Sequence, residues 1–228
     1  MIGVRTFGRW MAIAAVSVVA ACLPAMAEWG PAEEEGPRIR FNTLYGPVGL
    51  VTVPTAYVAT HQKVLFGTTF GRDVKSITGN WGIVPGVDVG GAYLDRDSGT
   101  QRLLANAKVN IIPQNFKWFE VGVGVLDAAD ALDQSFYFVA SADWALPSVL
   151  EEHAIGFRLH AGVGTGMFDE KPIGGAEVII DKRFSVAAEW NSKDLNAVAR
   201  YAHDESFRLQ VGIQGKKGYL GATYALQF

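Results

Sequence analysis

The strongest constraint on the fold is an alternation of large apolar with small or polar side chains along most of this 228-residue chain. Successive side chains of a β-strand point to opposite faces, so a period of two predicts strands with one apolar and one polar face. The runs begin near residue 64 and are separated by turn sequences such as Pro85 and Gly86. We therefore predict an all-β chain with about twelve strands.

The last strand carries a second signal. Leu220, Tyr224 and Phe228 share one face, Gly221 and Thr223 share the other, and the chain stops on the phenylalanine. Such a strand suits a wall between lipid and a polar interior. A terminal aromatic also resembles the signal that the outer-membrane assembly machinery recognises. We expect a transmembrane antiparallel β-barrel over residues 61–228, in the outer membrane of a Gram-negative bacterium, with outer-membrane lipid and the assembly machinery as partners.

The amino terminus has the pattern of an export signal. Arg5 and Arg9 precede an apolar run over 11–23, and a small-x-small pattern follows at 25–27. These features are typical of a secretory signal peptide, predicted here as residues 1–27. The run is shorter than the roughly 20 residues that a spanning helix needs. The stretch 19–22 resembles a loose lipobox, so lipidation of Cys22 stays an alternative.

Charge and residue usage exclude several functions. Without the signal peptide the chain has 18 basic against 23 acidic residues, a net charge of −5. A nucleic-acid partner would need a basic surface, so none is expected. Cys22 is the only cysteine, which leaves the mature chain without disulfides or thiolate metal ligands. His61, His153, His160 and His203 are scattered without ligand spacing, so neither a metal site nor a cofactor is expected.

Two segments precede the predicted barrel. Residues 28–37 carry three glutamates between two prolines and are predicted to be an acidic, disordered leader. In residues 38–60, Pro47 and Pro54 lack the backbone N–H donors that a β-ladder needs, and the glycines permit bends. This predicts irregular structure. The segment is too apolar to remain exposed to water, so we expect it to pack on or in the barrel, as an inner plug or a periplasmic lid. A short extra edge strand is the alternative.

Ten ionisable side chains share the phase opposite to the large apolar ones. In a closed barrel they would line the lumen, where opposite charges would pair across a narrow interior. The alternative fold is a soluble β-sandwich, in which the same face would contact bulk water. The predicted lumen-lining residues are Asp88, Lys108, Glu120, Asp143, Arg158, His160, Glu177, Glu189, Arg200 and Arg208.

An even strand number predicts that both termini lie on the periplasmic side. The periplasmic turns would then be 85–86, 113–115, 147–148, 181–182 and 203–204. The longer extracellular loops would be 95–101, 127–133 and 165–175. Six aromatics near strand ends predict an interfacial girdle. They are Trp81, Tyr93, Trp118, Trp144, Trp190 and Tyr224.

Some outer-membrane barrels are lipid hydrolases or acyltransferases, and two groups of residues in this chain suggest such chemistry. His203 and Ser206 superficially resemble the His-x-Ser stretch of the outer-membrane phospholipase, but the Asn-Gly that follows the serine in that family is absent. Ser141, Asp143 and His160 could supply a nucleophile and a base. They also point where ordinary lumen residues point, so no catalytic residue is predicted.

Two stretches resemble a known family. Residues 46–56, with the letters GPVGLVTVPTA, are similar to the opening of YjbH-type outer-membrane proteins. Residues 187–201 are similar to that family's hairpin, with Glu189, Asn196 and Tyr201 at the matching positions. The resemblance covers about a quarter of the mature chain and implies a role in exopolysaccharide production or export, with envelope polysaccharide as a partner. YjbH-type proteins are commonly much longer, so this chain would be a minimal relative. We expect a non-enzymatic outer-membrane component; a lipid hydrolase and a small-solute porin stay open.

Overall fold

The computed structural model describes residues 40–96, 99–111, 119–146 and 155–228. In these residues twelve antiparallel strands form one sheet that closes on itself, with β1 paired to both β2 and β12. The prediction of an antiparallel barrel of about 12 strands is confirmed. The strands are β1 (Lys63–Gly71), β2 (Val74–Val84), β3 (Val87–Arg96), β4 (Gln101–Asn110), β5 (Glu120–Leu126), β6 (Ser135–Leu146), β7 (Ile155–Gly164), β8 (Lys171–Ile180), β9 (Phe184–Trp190), β10 (Leu195–Ala202), β11 (Phe207–Gln214) and β12 (Lys217–Gln227).

Closure occurs between the first and last strands, in a ladder that runs from Lys63 opposite Gln227 to Gly71 opposite Tyr219. This pairing removes both sheet edges, as a wall in lipid requires because the bilayer offers no water to an unpaired backbone group. The ladder between β4 and β5 is the shortest, with Ala107–Asn110 opposite Gly122–Val125.

The two ends of the barrel differ in their connections. The terminal end holds the start of β1 and the end of β12, with the turns at 85–86, 181–183 and 203–206. The loop end holds the connections at 72–73, 127–134, 165–170, 191–194 and 215–216.

The predicted loop over 165–175 is wrong in its extent. A 3₁₀ turn at Gly166–Phe168 is followed by Asp169 and Glu170 in the left-handed conformation. These residues reverse the chain early, so β8 already begins at Lys171 and pairs with β7 from there.

The outer face of the wall is apolar and exposed. Soluble monomers rarely expose a continuous apolar surface of this extent, whereas a lipid-facing wall requires one. Among the predicted girdle residues, Trp81, Tyr93, Trp190 and Tyr224 are exposed on this face. Other exposed apolar residues include Phe66, Phe70, Ile77, Leu103, Phe138, Val163, Val186, Leu195, Val211, Leu220 and Phe228.

The outer face departs from its expected exposure near β5. Val121 and Val125, which by alternation share the outward phase of β5, are buried, as are Val87 and Val109. Val87 lies opposite Val109 and Val109 lies opposite Val123, so these β-branched side chains cover part of each other across the strands.

Several predictions fall outside the described residues. These are the signal peptide, the acidic leader, Cys22, Trp118, the side chain of Trp144 and the turns at 113–115 and 147–148. Within the described part of the chain, no helix is long and apolar enough to cross a membrane.

Candidate functional site in the barrel lumen

Residues 40–60, here named the plug segment, occupy the interior of the barrel. Nearly every residue from 40 to 59 is buried, and their partners lie on strands all around the wall. Two prolines interrupt the segment, and Gly46 has a φ of +116°, a conformation that favours glycine. Only isolated bridges form within it, between Asn42 and Val48 and between Gly49 and Pro54. Its backbone combines turn-like bonds within the segment, such as those from Leu44 to Val51 and from Leu50 to Val53, with bonds to side chains of the wall.

Glu189 on β9 is the centre of the first contact between wall and plug. Its carboxylate accepts the backbone N–H groups of Val51 at 2.8 Å, Thr52 at 2.8 Å and Val53 at 3.0 Å. The Thr52 hydroxyl donates at 2.6 Å and the Asn196 amide at 2.8 Å. Successive N–H groups that converge on one anion form a backbone nest, and charge-assisted hydrogen bonds are the stronger kind. One buried carboxylate therefore fixes one turn of the plug segment.

Arg200 on β10 binds the carbonyl groups beside that turn. Its guanidinium donates to Gly49 at 3.0 Å and Leu50 at 2.7 Å, and also to Glu177 at 3.2 Å. Glu177 in turn pairs with Arg158 at 3.3 Å. The plug segment is thus connected to an ion network on β7, β8 and β10, which satisfies charges that would be costly to bury alone.

The opposite side of the lumen uses a second charged pair. Lys108 on β4 is fully buried and donates to the carbonyl groups of Val48 at 2.9 Å and Thr55 at 3.2 Å. Asp88, its cross-strand neighbour on β3, accepts the N–H of Ala59 at 2.9 Å. Both ends of the plug segment's second half are therefore held by side chains of opposite charge.

Neutral amides complete the attachment, and they are not among the predicted lumen residues, which are all ionisable. Asn80 donates to the Asn42 side chain at 3.1 Å and to the Gly46 carbonyl. Asn106 donates to the Tyr45 carbonyl at 2.8 Å. Both wall asparagines share the inward phase of their strands, and this phase could have identified them from the sequence as lumen residues.

The structure places all ten predicted lumen residues on the inner face. Asp143 and Arg158 are half-buried and the other eight are buried. The expected pairing of opposite charges forms among Asp143, Arg158, Glu177 and Arg200, with Asp143 at 3.3 Å from Arg158. Elsewhere the expectation of pairing across the lumen is replaced by bonds to the plug segment, whose backbone competes for the same groups.

Glu120, His160 and Arg208 complete the predicted set. Glu120 accepts the Asn110 amide at 2.7 Å. Arg208 donates to the carbonyl of Arg40, the first described residue, near the terminal end. Its guanidinium and that of Arg200 also lie over the Phe41 ring, at 6.0 and 4.5 Å from the centroid.

The predicted nucleophile and base do meet, in an arrangement that favours structure. His160 Nδ1 lies 2.8 Å from Ser141 Oγ, which also accepts the N–H of Ala56 at 2.9 Å. A catalytic triad requires a carboxylate on the second imidazole nitrogen and an accessible hydroxyl. Asp143 instead accepts the Tyr57 hydroxyl, and His160 Nε2 has no hydrogen-bond partner among the described residues. Ser141 is buried, so the pair holds the plug segment.

The second enzymatic candidate is a turn. Asp204 Oδ1 accepts the N–H groups of Phe207 at 2.6 Å and Ser206 at 2.7 Å, and these bonds lower the pKa of Asp204. The carboxylate between His203 and Ser206 therefore stabilises the connection from β10 to β11. Across the described ranges, no three His, Cys, Asp or Glu side chains are grouped as metal ligands.

The loop end carries acidic groups in two settings. Asp169 bonds to Lys193 at 3.0 Å and Lys171 at 3.4 Å, which lowers its pKa. Partial burial, with the neighbouring charge of Asp130, raises the pKa of Asp133. The two carboxyl groups therefore respond differently to acidification.

No family model matches the chain, and no curated protein matches it. A solved structure of a KdgM porin is similar over 73% of this chain and 99% of that one, with 9% identity and a TM-score of 0.48. The outer membrane protein Omp33 of Acinetobacter baumannii is similar over 73% of this chain and 97% of that one, with 10% identity and a TM-score of 0.46. Similarities this remote transfer no function.

Proposed function

We propose that this chain is a non-enzymatic outer-membrane β-barrel, closed by its own plug segment, that serves the production or export of envelope exopolysaccharide. One observation carries the proposal. The two stretches that resemble YjbH-type proteins, 46–56 and 187–201, meet at a single site, where Glu189 binds the N–H groups of Val51, Thr52 and Val53. Stretches more than 130 residues apart in sequence thus act as one unit, which supports membership of that family.

The outer-membrane location is supported by the apolar outer face and the even number of strands. Phe228 is exposed on the apolar outer face at the terminal end, where a lipid-facing assembly signal would lie. In this orientation the terminal end faces the periplasm and the loop end faces outward. Outer-membrane lipid and the assembly machinery are the proposed partners of the wall.

The filled lumen favours a closed component over an open diffusion pore. A porin keeps its polar inner wall in contact with water. Here Lys108, Glu189 and Arg200 are buried and bonded to the plug segment. Passage of a polysaccharide would require that segment to move, so we propose that the segment is the gate or anchor of an export apparatus.

A gene deletion tests the proposal. We expect the strain that lacks this protein to lose released and cell-associated polysaccharide, measured as total hexose and uronic acid. The wild-type gene and the control variant Glu205→Gln, which alters an exposed acid at the terminal end, should restore it. Glu189→Ala should assemble and restore less, because it removes the contact between the two family-like stretches. Unchanged polysaccharide in the deletion strain would overturn the proposal.

Two measurements separate the alternatives of different class. Large conductance of the intact protein in planar bilayers would favour a small-solute porin. Hydrolysis of phospholipid or lipopolysaccharide by the folded protein in detergent would favour a barrel hydrolase, and Ser141→Ala would then abolish it.

A further inference from the structure

A cavity of about 330 Å³ lies at the loop end, above the plug segment. The ends of β1, β3, β11 and β12 surround it, and Tyr45 of the plug segment contributes to its lining. This volume falls in the range of small-molecule sites, roughly 300 to 1,000 Å³. The cavity is separate from the lumen contacts at Glu189 and Lys108, which do not line it.

Two guanidinium groups, those of Arg72 and Arg96, line the cavity, and Arg96 also bonds to the Tyr45 hydroxyl. Lys217 at the rim pairs with Asp73, which neutralises both. Arg72 is exposed and Arg96 is half-buried, and in the described part of the chain no carboxylate lies within ion-pair distance of either. Arginine presents a planar fork of donors that matches a carboxylate. The cavity is therefore suited to an anionic group.

The remaining lining suits a polyhydroxylated ring. Tyr45 and Tyr219 contribute aromatic surface, and Asp194 contributes a carboxylate acceptor for hydroxyl groups. Gln214, whose side chain also bonds to the Tyr45 hydroxyl, contributes an amide. The Tyr219 hydroxyl is buried and has no hydrogen-bond partner among the described residues. The Tyr219 ring therefore contributes apolar surface to the cavity, and its hydroxyl does not face it.

We propose that this cavity binds a sugar acid, with the carboxylate between Arg72 and Arg96 and the hydroxyl groups on Asp194 and Gln214. The inference rests on the proposed function and names its substrate class as an acidic saccharide. Because Tyr45 belongs to the plug segment and its carbonyl is held by Asn106, an occupant of the cavity contacts the element that fills the lumen.

Isothermal titration of the folded full-length protein in detergent tests the site, with glucuronate as the probe and glucose and inorganic phosphate as comparisons. We expect saturable glucuronate binding at least tenfold tighter than that of either comparison. Arg72→Gln and Arg96→Gln should each weaken it at least tenfold. The matched control Arg102→Gln, exposed at the same end but outside the cavity lining, should leave it unchanged. Circular dichroism verifies that each variant is folded.

Three results would overturn the inference: no saturable glucuronate binding, equal binding of glucose, or equal binding of phosphate. Equal weakening by Arg102→Gln would also overturn it, because it would indicate general attraction to a basic rim. The failure of this inference is distinguishable from that of the proposed function. If glucuronate does not bind but the deletion strain loses polysaccharide, only the sugar-acid site is refuted. If glucuronate binds but the deletion strain keeps its polysaccharide, only the export role is refuted.

Discussion

The barrel wall and the plug segment satisfy their backbone hydrogen bonds by different means. Each wall strand bonds to the strands beside it around a closed ring. The plug segment combines backbone bonds within itself, such as that from Leu44 to Val51, with bonds to wall side chains. Among those side chains, Glu189 and Asp88 accept and Lys108 and Arg200 donate. The backbone ladder of the wall is therefore complete without the plug segment, whereas the plug segment depends on wall side chains for part of its backbone hydrogen bonds.

This difference teaches where each part is vulnerable. Damage to the outer face of the wall should prevent insertion, because the whole sheet must enter lipid together. Substitution of a wall residue that binds the plug segment should leave the barrel folded and increase the mobility of the plug segment alone.

The first prediction concerns adjacent residues on opposite faces of β11. Val211 is 59% exposed on the outer face and Gln210 is 7% exposed on the inner face. A charge on the lipid face near the midplane costs about 2 to 4 kcal/mol, so Val211→Lys should strongly reduce folding into lipid vesicles. The same side chain in Gln210→Lys should have a much smaller effect. Equal folding of the two variants would contradict the assignment of faces.

The second prediction concerns Phe228, which is 76% exposed on the outer face and donates its N–H to the Gln62 carbonyl at 3.0 Å. Deleting it removes a lipid contact worth roughly 1.5 to 3 kcal/mol and the predicted assembly signal. Outer-membrane levels in cells should therefore fall further than stability in detergent. Phe228→Trp, which keeps a terminal aromatic, serves as the control. Undiminished levels of the truncated protein would count against the signal.

The wall was predictable from sequence because its rule is local. Strand β12 alternates with period two, and its exposed residues Leu220 and Tyr224 are the ones that the pattern assigned to lipid. Period two carries no information on loop length, which is why the early start of β8 was missed. The burial of the outward-facing valines of β3 to β5 was missed. Alternation predicts which face a side chain lies on but not how far neighbouring side chains cover it.

The plug contacts were only partly predictable. Pro47, Pro54 and the apolar residues around them predicted an irregular segment that needs cover. No periodic pattern joins Val51 to Glu189, which lie 138 positions apart. The ten ionisable residues were assigned to one face by phase, but their partners depend on where a non-repetitive backbone places its N–H and C=O groups.

The third prediction tests the nest at Glu189. Glu189→Gln keeps the shape but removes the charge and turns a donor toward the three N–H groups, a loss of roughly 1 to 2 kcal/mol. Hydrogen exchange should speed up at residues 51–53 and stay unchanged in β12. The exposed acid Glu205, changed to Gln, is the matched control. Faster exchange throughout the barrel would refute the separation of plug from wall.

The fourth prediction concerns the spacing between plug and wall. A Cβ added at Gly122 would lie 2.9 Å from the Cα of Ala56, a backbone atom that cannot move alone. Gly122→Ala should therefore displace the plug segment at a cost of about 1 kcal/mol, seen as increased protease cleavage within it. At Gly79 the added Cβ would meet only the Phe66 ring at 3.9 Å, so Gly79→Ala is the control. Equal cleavage in both variants would argue against close packing.

Single-channel conductance in planar bilayers tests the central claim, that the plug segment fills the lumen. The intact protein should conduct very little, because wall side chains that would otherwise face water are bonded to the plug segment. Deletion of residues 38–60 should open a modest pore, since a barrel of about twelve strands encloses a modest lumen. The double variant Glu189→Ala and Arg200→Ala offers a second route to opening if the deletion does not fold. Large, stable conductance of the intact protein would contradict the account.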